Sequence, residues 1–287
     1  MTDPPGRTTL KSSIMGIRGC GDTAACGCFA SLRPGPGAGR AVFRPPDGGL
    51  SRPGGQEVLQ ADAAVPMIDL HTHTLLSDGG LIPTELARRA EALGFRALAM
   101  TDHVDTAMAD VVVPVLVRVA EDLAPVMKMK VIAGAEVTHC RPEHIARVVE
   151  RCRRLGARIV IVHGETPSEP VIKGTNRAAI EAGCDILAHP GLITEADARL
   201  AAERGVLLEV SGRAGHCLGN GHVVQTARRA GARVVFGSDT HEPGDLRTRG
   251  DAEYVLACAG CGAEEVAAAF DAAERLVARV VTGEDAT

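Results

Sequence analysis

Tryptophan is absent from this 287-residue chain, and tyrosine and phenylalanine together number only six. A groove that tracks single-stranded nucleic acid uses aromatic platforms for its bases, and a duplex-binding face uses a basic stripe. The charge gives no such stripe, because the formal net charge is -5. Residues 1–66 carry seven basic and five acidic side chains, whereas the rest of the chain carries 24 basic and 31 acidic ones. Both deficits argue against a long nucleic-acid partner.

Also missing is any apolar run near the roughly 18 residues of a membrane-spanning helix. Residues 1–66 contain no apolar segment of the kind that makes a secretory leader. The expected compartment is the cytoplasm, with no membrane partner. The nine cysteines are odd in number and follow no framework spacing, which excludes a disulfide scaffold. Cys258-x-x-Cys261 lacks the second ligand pair of a structural zinc site and reads as two thiols on a helix face. Cys20, Cys26 and Cys28 have no zinc-finger spacing either. No GxxxxGK[ST] or HExxH occurs, so P-loop and zincin chemistries are out.

What is there is an ordinary globular composition, 45% apolar and 23% charged, on a chain long enough for a sizeable core. Residues 1–66 stand apart. They are rich in Gly, Pro and Arg, as in Arg33-Pro34-Gly35-Pro36-Gly37, and show no sustained periodicity. Such a stretch cannot bury enough apolar surface to offset the entropy of ordering, and it is read as a disordered extension. A second hypothesis is that the working chain starts at Met67, where the first strand begins; the N-terminal peptide of protein purified from its host decides this by mass spectrometry.

From Met67 to Thr287 the chain reads as one domain of alternating strands and helices. Strands are expected from residue 67 and over 97–103, 130–137, 158–165, 186–190, 206–211 and 233–241. Helices are expected over 83–93, 113–127, 143–154, 174–182, 195–204 and 222–230, with 251–259 and 263–280 closing the chain. Strands this apolar belong to a parallel sheet covered by helices. The polar residues decide between an open sheet and a barrel. His73, His103, Glu136, His163, His189 and His241 each fall at or near the C-terminal end of an expected strand. Only in a barrel do those ends converge on one mouth.

The first strand carries the densest chemistry. In Met67-Ile68-Asp69-Leu70-His71-Thr72-His73, period-2 alternation puts Asp69, His71 and His73 on one face, and Asp78 follows on the next loop. Asp239 and His241 repeat the same spacing late in the chain. Imidazoles and carboxylates gathered at one mouth are a donor set for divalent metals. The candidate ligands are His71, His73, Asp78, His103, Glu136, His163, His189, Asp239 and His241. Among them Glu136, Asp239 and His241 are the candidate catalytic residues.

These residues resemble the PHP family, named for polymerase and histidinol phosphatase. Its first motif reads Asp69-x-His71-x-His73-Thr74-x-x-Ser77-Asp78-Gly79, followed by Thr101-Asp102-His103 and Gly134-x-Glu136-x-Thr138. His163, His189-Pro190 and Gly237-Ser238-Asp239-x-His241 complete the set. The resemblance implies a distorted (β/α)7 barrel, TIM-like in outline, with three divalent ions of zinc, manganese or iron. It implies His71, His73, Glu136 and Asp239 around one ion and Asp78, His103 and His241 around a second. Glu136, bridging, joins His163 and His189 at the third.

Charge counting agrees with that reading. Three divalent ions and three carboxylates leave roughly +3 in a water-poor pocket, which a hydroxide and a phosphomonoester dianion neutralise. The expected reaction is in-line attack of a metal-activated hydroxide on a small phosphorylated substrate, histidinol phosphate being the compound the resemblance names. Alternatives are a nucleotide or short-oligonucleotide phosphoesterase and a non-catalytic metal-binding module of a larger complex. Arg213 is the first candidate for holding phosphate with its planar fork, and Lys173 and Arg247 follow. Asp69 and Asp102 are candidates for orienting ligating rings. His139, His144, His216 and His222 are left outside the ligand set, with His216 and His222 on the mouth side. Gly219-Asn220-Gly221 reads as a turn.

Overall fold

The computed structural model describes residues 66–282. The extension expected over residues 1–66 therefore lies, apart from Pro66, outside the described residues. The strands are β1 (Met67–Asp69), β2 (Phe95–Met100), β3 (His103–Val104), β4 (Lys130–Val137), β5 (Ile159–His163), β6 (Ile186–Ala188), β7 (Leu207–Ser211) and β8 (Val234–Gly237). Seven of them pair in parallel in the order β1-β2-β4-β5-β6-β7-β8, and β3 adds to β4. Beyond the ends of β1 and β8 a parallel bridge joins Thr72 to Thr240. There the His73 amide donates to the Thr240 carbonyl at 2.8 Å and the Asp239 amide to the His71 carbonyl at 3.0 Å. The sheet thus closes at its C-terminal rim into the distorted seven-stranded α/β barrel expected.

The helices are α1 (Pro83–Ala92), α2 (Ala109–Leu123), α3 (Pro142–Arg154), α4 (Thr175–Glu181), α5 (Glu195–Arg204), α6 (Asn220–Ala230), α7 (Arg249–Cys258) and α8 (Ala263–Thr282). Their starts follow local chemistry. Pro83 and Pro142 open α1 and α3, where a missing N–H costs nothing. Thr194 caps α5 by accepting from the Asp197 amide, and Gly205 in the left-handed region ends that helix. Thr248 and Asp251 form a reciprocal capping box on α7, the helix that follows the Asp239–His241 loop. Thr248→Ala is expected to lower unfolding free energy by about 1 kcal/mol, measured by urea denaturation, with little effect on metal content.

Two cores result. One lies between the helices and the outer face of the sheet. The other fills the barrel with Ile68, Leu70, Ile132, Ile159, Ile161 and Ile186, all facing inward. Ala272, Ala273, Leu276 and Val277 of α8 join this inner cluster. They recur one turn apart, so a single stripe of α8 stoppers the base of the barrel. Among the described residues no helix is long and apolar enough to cross a membrane.

Two expectations need correction. The strand expected over 97–103 is interrupted at Thr101 and Asp102, which fall outside regular strand pairing. The Thr101 amide donates to the Thr72 carbonyl, and the Asp102 carboxylate accepts from the Thr74 amide at 2.8 Å and the Ser77 hydroxyl at 2.7 Å. The chain then pairs again as β3, setting His103 opposite Glu136. The helix expected over 113–127 begins at Ala109 with Pro114 inside it. A proline there forfeits one backbone bond, but Val112, Val113 and Leu116 are fully buried on α2 and outweigh that loss.

Candidate metal centre

Barrel closure brings the nine candidate ligands to one rim. His71 and His73 follow β1, Asp78 lies on the loop after them, and His103 stands in β3. Glu136 is near the end of β4, His163 ends β5, and His189 follows β6. Asp239 and His241 follow β8. Backbone at two of these positions is held in the left-handed region, at φ 26° for His189 and 55° for Asp239. Non-glycine residues pay for that conformation, and the surrounding fold sustains it where side chains must be aimed.

Glu136 is the centre of the cluster and is fully buried. Its Oε1 lies 3.4 Å from His71 Nε2, 3.4 Å from His163 Nδ1 and 3.6 Å from His189 Nε2. Its Oε2 lies 2.7 Å from His103 Nδ1 and 3.6 Å from His73 Nε2. Asp239 Oδ1 approaches His73 Nε2 at 3.3 Å and His71 Nε2 at 3.8 Å. Asp78 gathers a second group at the mouth, with His241 Nε2 at 3.1 Å and His103 Nε2 at 3.5 Å. Donor atoms of His73, Asp78, His103 and His241 converge closely enough to hold one ion. So do those of His71, His73 and Glu136, and those of His103, Glu136 and His163.

The donor set fits divalent metal. Six buried ring nitrogens, His71 Nε2, both of His73, both of His163 and His189 Nδ1, have no hydrogen-bond partner, nor has Glu136 Oε1. Buried polar atoms are almost always paired, and leaving them bare costs about 1–3 kcal/mol each. Coordination would satisfy them.

The field points the same way. Burial alone would raise the Glu136 carboxyl, but the His71 and His103 rings outweigh it and hold it well below the usual range. Asp239 is buried yet held low by His71 and His73. Burial disfavours charge on His103, but Glu136 and Asp78 lift that ring to about 10. Burial likewise lowers His163, but Glu136 and Glu169 lift it to about 9. His73, by contrast, is pushed by burial down to about 3, leaving a neutral ring. A pocket that draws protons onto imidazoles around two ionised carboxylates is one that draws cations.

Several residues outside the expected set belong to the site. Glu209 of β7 is fully buried, and its Oε1 accepts from His71 Nδ1–H at 2.6 Å. Its Oε2 accepts from the His189 amide at 2.9 Å. The bond from His71 Nδ1–H to Oε1 fixes the His71 tautomer and turns Nε2 toward Glu136 and Asp239. A glutamate inside the apolar run Leu207-Leu208-Glu209-Val210 was the available sequence signal. His216 stacks on His189 with ring centroids 4.1 Å apart, and its Nε2 reaches to 3.8 Å of Asp239 Oδ2. Glu169 lies 3.2 Å from His163 Nε2 and 2.9 Å from His139 Nε2, forming an outer rim.

Other candidates play different parts. Asp69 takes the backbone amides of His71 and Ser238, both at 3.2 Å, and touches no ligating ring. Asp102 likewise holds the 74–77 loop rather than a histidine. His222 donates to the Ile193 carbonyl at 2.8 Å and His144 is exposed on α3. Asn220 begins α6 and clamps both backbone groups of Ser211, so the Gly-Asn-Gly stretch is a helix start. Arg213 Nη1 donates to the Asp239 carbonyl at 3.3 Å, and with Arg247 and Asp245 it lines a cleft of about 230 Å³. Lys173 is exposed before α4.

Comparison with known proteins finds four informative likenesses. The family model described as PHP domain matches residues 69–216. Uncharacterized protein MJ1295 of Methanocaldococcus jannaschii is 43% identical over 180 residues, covering 62% of this chain and 83% of that protein. A chain in the cryo-EM structure of archaeal ribonuclease P with mature tRNA superposes with a TM-score of 0.59 at 17% identity, over 77% of this chain and 95% of that one. The A. niger ochratoxinase superposes with a TM-score of 0.52 at 15% identity, over 74% and 71%. At such identities the two structures share the fold.

Proposed function

Because the chain belongs to the PHP domain family, we propose that it is a metal-dependent phosphoesterase acting on a small phosphomonoester. The observation that carries this reading is the set of bare, buried ring nitrogens around Glu136. His71, His73, Glu136 and Asp239 would hold one divalent ion, Asp78, His103 and His241 a second, and Glu136, His163 and His189 a third. Ions bound there supply Lewis acidity and an acidified water at neutral pH.

The chain's own residues do the remaining work. Glu136 and Asp239 are the ionised carboxylates that fix the positive charge at one depth. Glu209 is a positioning residue, holding His71 in the tautomer whose Nε2 faces them. His241 Nδ1–H donates to the Asp239 carbonyl at 3.0 Å, which leaves Nε2 at the mouth beside Asp78. Arg213, braced on the Asp239 carbonyl, orients a phosphate entering beside Asp239. The cleft it shares with Arg247 suits a compact substrate, which favours a monoester over a polymer.

The test is elemental analysis of purified protein together with a panel of phosphate esters that includes histidinol phosphate. Two to three ions per chain and monoester turnover are expected, both lost in His73→Ala. Bound ions without monoester turnover, but with dinucleotide or oligonucleotide cleavage, would move the substrate class. Ions with no hydrolysis of any ester would leave a binding module. Protein that takes up no manganese, zinc or iron would sink the proposal.

A further inference from the structure

The opposite end of the barrel carries a second concentration of charge. Arg158, Asp185 and Arg233 stand one residue before β5, β6 and β8, at the N-terminal ends of the strands and thus remote from the metal-binding rim. Arg153, Arg158, Arg204 and Arg279 line a pocket there that encloses about 490 Å³. An adjoining recess, lined by Arg233 and Arg275, shares Asp185, Gly205 and Arg279 with it. Six arginines thus face one carboxylate.

That carboxylate is already committed. Asp185 Oδ2 accepts from Arg153 at 3.0 Å and from the Val160 amide at 2.8 Å, and Oδ1 accepts from Arg279 at 2.5 Å. Arg204 donates to the Glu181 carbonyl, a neutral partner. Arg158, Arg233 and Arg275 have no partner among the described residues. Many arginines elsewhere are matched, among them Arg89 with Glu85, Arg177 with Glu181 and Arg228 with Glu265. Unmatched like charges around one concavity repel, and a bound anion relieves them.

We propose that this double recess at the base of the barrel binds a polyphosphate anion, such as the phosphate chain of a nucleoside triphosphate. Three features select that chemistry. The cations are all guanidinium groups, whose planar forks bind phosphate oxygens in pairs. The volume falls within the range of small-ligand sites. The two recesses joined at Arg279 form an elongated track with more positive charge than a single phosphate dianion offsets. No aromatic residue lines either part, so affinity resides in the phosphate chain and a nucleoside adds little. At this end of the barrel the ligand is out of reach of the metal-binding rim, so it is bound and not hydrolysed. The proposal stands independently of the phosphoesterase reading.

Calorimetric titration of the full chain with inorganic tripolyphosphate at low ionic strength tests it. Beside any binding at the metal-binding rim, one site is expected that weakens as salt rises. In the variant combining Arg158→Gln, Arg233→Gln and Arg275→Gln the affinity should fall at least about tenfold, because these exposed side chains can be changed without breaking an ion pair. His73→Ala should leave it unchanged. Absence of binding overturns the proposal, as does equal affinity in the triple variant or equal binding of sulfate. Binding lost in His73→Ala but retained in the triple variant would put the anion at the other rim and overturn it too.

Discussion

Glu136→Gln should reduce phosphoester turnover by about a thousandfold, roughly 4 kcal/mol of barrier, and strip at least one ion from the protein. The amide preserves the shape of the side chain, so the effect isolates its charge. Glu136 has no contact with solvent, and five histidine rings stand within 3.6 Å of its oxygens. It is the one carboxylate common to the first and third proposed ion positions, and a neutral amide cannot offset two cations. The rings would then face one another without a counter-charge. Initial rates and elemental analysis on the same preparation give the result. A variant that keeps its full metal content and rate would remove Glu136 from the centre of the site.

A substitution with no ligand atom of its own should come close in severity. A Cβ at Gly237 would fall 2.0 Å from Glu209 Oε1 and 3.1 Å from the His71 Cβ. Glu209 cannot swing away, because it is fully buried and both oxygens are engaged. Gly237→Ala therefore expels a charged group from its hydrogen bonds inside the barrel. Breaking a buried charge network in this way costs about 3–5 kcal/mol. Releasing the His71 ring should weaken metal binding about 10- to 100-fold. Guanidinium denaturation and chelator competition measure the two effects. Glu209→Gln should show the metal effect with less loss of stability. If the clash with Glu209 is the cause, Gly237→Ala should cost much less in a Glu209→Ala background than in the parent. Equal costs in both backgrounds would sink that explanation.

What was legible in the sequence follows from where chemistry sits on a barrel. His71 and His73 are two apart on extended chain, and Asp239 and His241 repeat that spacing, so each pair declares its common direction. Single residues at strand ends, such as Glu136 and His189, could be gathered because a parallel barrel brings all those ends together. Glu209 escaped because it sits inside an apolar strand, and its partner His71 becomes its neighbour only when β8 meets β1. Glu169 escaped for a different reason, since it lies on a loop, and His216, placed only on the mouth side, opens a one-turn 3-10 helix; neither path is encoded by a period. The alternation that grouped Asp69 with the histidines failed because regular pairing stops at Asp69 and resumes at Thr72. The helix expected from residue 113 begins earlier, because tertiary burial of Val112 and Val113 carries α2 past Pro114. The six basal arginines share no spacing at all. They meet only because strand starts and helix ends converge beneath the barrel.

The stopper formed by α8 sets a constraint on the order in which the molecule can assemble. Ile68 and Leu70 are made near the start of the domain, yet the side chains that cover them, Ala272 to Val277, belong to its last helix. β1 must likewise wait for Thr240 before the rim can close. A nascent chain that has completed six strands still presents a trough of isoleucine and leucine to the solvent, with no local partner able to fill it. Contacts so distant along the chain make for slow folding and an extended exposure to self-association. The barrel is built progressively by the ribosome, but its closure must wait for the last part of the domain.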